Sequence, residues 1–209
     1  MKLFLLYCFV LLNWFPTHLE EKWQQQLAES LKTLDQSGEL KTWEQETLKL
    51  QKLADANPKE WLLQYYAAWS NIQMAFQAPS TEASKFCQTA EGYVENALQL
   101  QPSNTETLVL KAYYLSAKIK VDPATAVVNG PSSQKWAEKA IEADTNNPRA
   151  YLVKALVVYH TPGIFGGGKK KALEIFNTAQ AKFKTFVPSS DIAPRWGQKI
   201  LDVSMKEYQ

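Results

Sequence analysis

Cysteine and histidine are scarce in this chain, with two of each among 209 residues. An excess of one charge is also missing: 23 basic and 21 acidic side chains leave a formal net charge of +2, spread along the chain. That balance excludes the broad basic footprint of a nucleic-acid binder, so no nucleic-acid partner is expected. His18 and His160 have no acidic or thiol partners at recognisable spacing, which excludes a metal site of ordinary pattern. Neither stands in a G-x-S-x-G or H-E-x-x-H setting. The carboxylates are scattered along stripes that would face solvent. No catalytic residue, metal or cofactor is therefore expected. Glycine is sparse at eight, and no segment alternates with period two long enough to make a strand. What the chain does have is aromatic side chains, seven Trp and nine Tyr among them, which serve packing and recognition alike.

The long apolar run lies at the N-terminus. Met1-Lys2 precedes LFLLYCFVLLNWF, which ends at Phe15 and is followed by Pro16. A short positive start and an apolar stretch of this length read as a secretory signal peptide over residues 1–17. The run is shorter than the roughly 20 residues a membrane span needs. An uncleaved membrane anchor is the alternative. Tyr7 is too large for the small residue that precedes a lipid-modified cysteine, so Cys8 belongs to the apolar run. Export would leave one cysteine, Cys87, and so no internal disulfide. The exported chain, a single domain over 18–209, is then periplasmic or secreted, with no stable membrane span.

Beyond residue 18 the apolar residues recur at helical spacing. Leu19, Trp23, Leu27, Leu31 and Leu34 form one stripe that Ser37-Gly38 stops. A second helix is predicted over 39–56. Asn57-Pro58, Gln101-Pro102 and Asn147-Pro148 then punctuate the chain about every 45 residues, each opening a new helical run. Between them the pattern predicts pairs at 59–77 and 82–100, 104–121 and 132–145, and 149–160 and 169–186. A last helix is predicted over 192–207. The expected fold is all-α: stacked antiparallel helix pairs forming an α-solenoid, with a C-terminal capping helix.

The endings ENALQLQPSN and EKAIEADTNNP resemble the close of a tetratricopeptide repeat, with an Ala in the second helix ahead of a Pro. KKALEIFNTAQAKF is similar to the second helix of such a repeat, with Ala172, Phe176 and Ala179 at packing positions. The resemblance spans most of 39–186, in repeats longer than the usual 34 or so residues. It implies an interaction scaffold that binds a peptide or protein surface on its concave face. Tyr65, Trp69, Tyr113, Tyr114 and Tyr151, on the first helices of the pairs, are the candidate partner-binding residues. The alternative is a small-ligand-binding accessory protein of a periplasmic transport system, which needs a closed pocket instead of an open channel.

PGIFGGGKKKALE at 162–174 nearly matches a phosphate-binding P-loop, since Gly163 is followed, after four intervening residues, by Gly168-Lys169. Lys170 stands where a magnesium-binding hydroxyl is needed, and the preceding segment is helical instead of a strand. The stretch therefore reads as a turn between paired helices. Three lysines at a helix start oppose the dipole, which raises an anion-binding alternative at Gly166, Gly167, Gly168, Lys169 and Lys170. The turns 78–81, 121–131 and 160–168 would share one edge of the stack.

Overall fold

The computed structural model describes residues 17–208, and the expected signal segment lies outside them apart from Thr17. The described residues form nine α-helices and no strand. They are α1 (Thr17–Gln36), α2 (Leu40–Ala56), α3 (Trp61–Gln77), α4 (Ser80–Leu100) and α5 (Thr105–Val121), then α6 (Ala126–Ala143), α7 (Pro148–His160), α8 (Lys169–Thr185) and α9 (Gln198–Lys206). None of them is long and apolar enough to cross a membrane.

Each helix packs on the next in sequence, and α3, α5 and α7 also touch one another as an inner row. Local chemistry fixes where that row begins. Asn104 Oδ1 accepts the amide of Glu106 at 2.9 Å and Asn147 Oδ1 that of Arg149 at 3.0 Å, so each asparagine satisfies an orphan donor at a helix start. Pro148 follows at the first helical position, where its missing N–H costs nothing. Small residues let the pairs approach: Ala67, Ala68, Ala90, Ala97, Ala112 and Ala172 are fully buried. Trp23, Leu27 and Leu34 on α1, Leu50 on α2, Leu63 on α3 and Phe176 on α8 belong to one continuous apolar cluster. Stacking is what buries these faces, since no single pair could remove them from water. Cys87 is a free, buried thiol within the same cluster.

Two boundaries differ from the sequence pattern. The turn expected over 121–131 is mostly helical. Asp122 caps a 3-10 turn at Pro123–Thr125, its carboxylate accepting the Ala124 amide at 3.1 Å, and α6 starts directly at Ala126. Pro131 is thus held inside a helix. The carbonyl it leaves without a donor belongs to Val127, in an exposed first turn where water can reach it. The last helix begins at Gln198 instead of near 192. Pro194 bars a helix through the residues before it, and Gly197 takes the left-handed φ of 114°. A Cβ on Gly197 would also come within 2.7 Å of Phe183 Cζ. Residues 186–197 consequently run as an irregular strap between α8 and α9.

Candidate functional site

The strap crosses the inner row, and its course decides what that face can do. Phe186 lies over the Arg149 guanidinium, 4.4 Å from ring centroid to Cζ. The Ile192 carbonyl accepts the Tyr66 hydroxyl at 3.0 Å. Trp196 enters an aromatic slot: its ring stacks on Tyr113 at 5.0 Å with 22° between planes and lies 6.3 Å from Trp69. The indole N–H donates to Tyr65 Oη at 2.6 Å. Trp43 extends the slot behind Trp69 at 5.6 Å, and Phe76 extends it behind Tyr113 at 5.0 Å. Only 9% of Trp196 remains exposed, so the inner face is covered by the chain's own C-terminal segment.

Beneath the slot sits a buried ion pair. Arg149 donates Nε to Glu106 Oε2 at 2.9 Å and Nη2 to Glu106 Oε1 at 2.6 Å, a two-pronged pairing that only a planar guanidinium makes. Asn147 Nδ2 donates to the same carboxylate at 2.7 Å, and the Tyr65 hydroxyl donates to it at 3.2 Å. Burial alone would pull the Arg149 pKa down, but the Glu106 carboxylate outweighs it and the net direction is up. The Tyr65 hydroxyl is pushed well above its ordinary value, first by burial and then by Glu106. Burial does the same to Tyr113. All three groups keep their protonated forms through the physiological range. The site offers aromatic faces that stack on a flat ring, and its hydroxyls stay neutral and are poor acids.

Of the five aromatic candidates, Tyr65, Trp69 and Tyr113 meet in this slot. Tyr114 and Tyr151 do not face it. Tyr114 is buried against α4, with Lys111 and Lys118 over its ring at 5.3 and 5.6 Å. It follows Tyr113 by one residue, a rotation of about 100° around the helix, which turns it away from the inner row. Tyr151 donates its hydroxyl to the Thr145 carbonyl at 3.2 Å, and Lys182 of α8 lies over its ring at 5.1 Å. Trp196, Glu106 and Arg149 were not expected. The segment APRWG carried a signal for the first, because Pro194 and Gly197 bracket a lone Trp where a helix was predicted.

The glycine-lysine turn uses its donors internally. The amides of Gly166, Gly167 and Gly168 bond the carbonyls of Gly163, Pro162 and Val158 at 3.0, 3.3 and 2.9 Å, so the backbone donors on which the anion-binding alternative drew are engaged within the turn. Gly167 is packed so closely that a Cβ would meet Thr161 O at 2.2 Å. Two of the three lysines at this helix start have partners that offset the dipole. Lys169 Nζ reaches Glu207 Oε2 at 3.3 Å, and Lys171 Nζ donates to the Gly166 carbonyl at 2.8 Å. Lys170 is exposed. His160, against Tyr159 at 4.9 Å, has its pKa lowered by desolvation, which favours neutral imidazole.

The chain is similar in structure to the HusA haemophore from Porphyromonas gingivalis. The TM-score is 0.76 at 27% sequence identity, covering 90% of this chain and 94% of the haemophore chain. No family model matches the chain, and no curated protein does. Against that likeness, two other surface features stand out. Val127 and Val128 at the start of α6, and Ile164 and Phe165 in the turn before α8, are between 70% and 87% exposed. Because α5 and α7 pack side by side and each leads into one of these turns, the four residues share one edge. A cleft of about 440 Å³ between α1 and α2 is lined by polar groups such as Gln26, Ser30, Glu46 and Lys52, which suits no apolar ring.

Proposed function

We propose that this chain is an exported carrier protein that acts by binding a small, planar, largely apolar ligand of the haem class, without catalysis. The observation that carries this reading is the likeness to a haemophore over nearly the whole of both chains. The ligand class is taken from that word. The inner row supports it with stacked aromatic rings and buried donors, the chemistry that holds a flat ring with polar substituents. The N-terminal apolar run supports export. A peptide-binding scaffold would need its concave face open, and here the strap fills it.

The test is a titration of the exported chain with hemin, followed by the Soret band and by quenching of tryptophan fluorescence. A carrier gives a saturable shift at one-to-one stoichiometry. A linear, non-saturating response rejects the reading.

A second reading has its own observation. The exposed Val127, Val128, Ile164 and Phe165 fit a protein interaction edge of the scaffold kind, because large apolar side chains left in water mark such surfaces. Tetratricopeptide-like scaffolding and ligand carriage are compatible, since the two surfaces are separate.

A further inference from the structure

We infer that the cleft holding Trp196 is a ligand slot kept closed by the chain's own strap, and that its ligand is a planar aromatic carboxylate which displaces the indole. The inference rests on the carrier reading and names the site.

Among the described residues, three buried side-chain polar atoms lack a hydrogen-bond partner: Trp69 Nε1, Arg149 Nη1 and Thr47 Oγ1. The first two border the strap. Trp69 lies beside Trp196, and the Arg149 side chain runs beneath Phe186 and Gly197. Trp69 is 5% exposed and Arg149 1%. Folded proteins pair nearly all their buried donors, so two orphans under one loop point to an acceptor that this occupant does not supply. Trp196 is a poor complement to the slot on that count: it brings one N–H donor of its own and no acceptor. A carboxylate supplies several acceptor positions to donors such as these.

The occupant is also lightly held. Residues 186–197 have no regular structure, and Ala193 to Ser190 is the backbone bond recorded inside the segment. Its side-chain hydrogen bonds to the inner row are the Tyr66–Ile192 and Tyr65–Trp196 bonds. Val187, Ser189, Ser190, Asp191 and Arg195 face solvent. Apart from the buried Pro194, Trp196 and Gly197, the segment is anchored at few points. Sparse hydrogen bonding with solvent-facing residues on both sides of the anchor is an attribute of segments that open ahead of the global fold. A flat ring that stacks on Tyr113 and places its carboxylate toward Arg149 Nη1 and Trp69 Nε1 replaces the indole and satisfies both orphans.

The test uses the full exported chain and metal-free protoporphyrin IX, so that iron ligation plays no part. Hydrogen exchange is read on the strap with and without saturating porphyrin, and affinity is compared for wild type, Trp196→Ala and Trp196→Phe. Removing a resident competitor raises the competent fraction, so Trp196→Ala is expected to bind about tenfold more tightly. Strap amides in the wild type are expected to exchange about tenfold faster when porphyrin is bound. The dimethyl ester, which lacks free carboxylates, is expected to bind about tenfold more weakly. Porphyrin binding with unchanged strap exchange overturns the inference and leaves the carrier reading standing. No porphyrin binding by wild type or either variant overturns the inference, and the hemin titration then decides the carrier reading by itself. If Trp196→Ala does not fold, wild-type exchange and the ester comparison decide.

Discussion

The inner row and the loop edge both carry large apolar side chains, and the molecule treats them in opposite ways. On the inner row Tyr65, Trp69 and Tyr113 are buried under the strap, and the Tyr65 hydroxyl joins an ion pair whose carboxylate accepts four hydrogen bonds. On the edge Val127 and Val128, in the first turn of α6, and Ile164 and Phe165, in the turn before α8, stand in water. The lesson is that an aromatic stripe on a helix-pair stack is not by itself an open binding face. Whether it is open depends on where the chain's last segment goes.

The comparison breaks first at Arg149. Arg149→Met leaves Glu106 buried without its cation, and the expected loss is about 3–5 kcal/mol of unfolding free energy in urea titration. A loss below 1 kcal/mol would mean that water reaches the carboxylate and that the inner row is not sealed. Tyr65→Phe keeps the ring but removes the hydroxyl between Glu106 and the Trp196 indole. It is expected to cost about 1–2 kcal/mol and to redden Trp196 fluorescence as the indole loosens.

A smaller effect is expected from pH. Desolvation holds the folded-state pKa of His160 below the ordinary 6.5, so the unfolded chain takes up the proton first as pH falls. The associated stability is fully present above 6.5 and is lost as pH drops from there through the depressed value. The melting temperature is expected to fall slightly as pH drops below about 6.5, and His160→Gln to flatten that fall. Identical slopes in the two proteins would remove His160 as the cause. The smallest effect belongs to the edge. Phe165→Ser and Val127→Ser are expected to change stability by less than about 0.5 kcal/mol and to leave porphyrin binding unaltered. A large change in either would join the edge to the inner site.

Local signals carried the helix plan. Asn104 and Asn147 cap helices because their side chains reach the second amide beyond, a relation contained within three residues. Pro148 and the glycine turn before Lys169 are equally local, and α8 begins where the pattern placed it. The same reasoning misread Pro131, because helix-breaking residues are tolerated where solvent can satisfy the freed carbonyl. It also misread the final helix, where Pro194 and Gly197 outweighed the apolar spacing of Ile192, Trp196 and Ile200.

The composition and periodicity of this chain were enough to determine an all-α stack of helix pairs, since each pair's apolar stripe requires a neighbour. They also supplied three of the slot's aromatics. What only the tertiary structure decided is the pairing of Glu106 with Arg149, the same position of two successive inner helices, and the arrival of Trp196 on Tyr113. Those contacts join residues dozens of positions apart, and no helical or proline spacing encodes which side chain fills a face once the stack exists. The strap filled it because a Trp with a proline before it and a left-handed glycine after it could leave the helix, reach the slot and bury its ring.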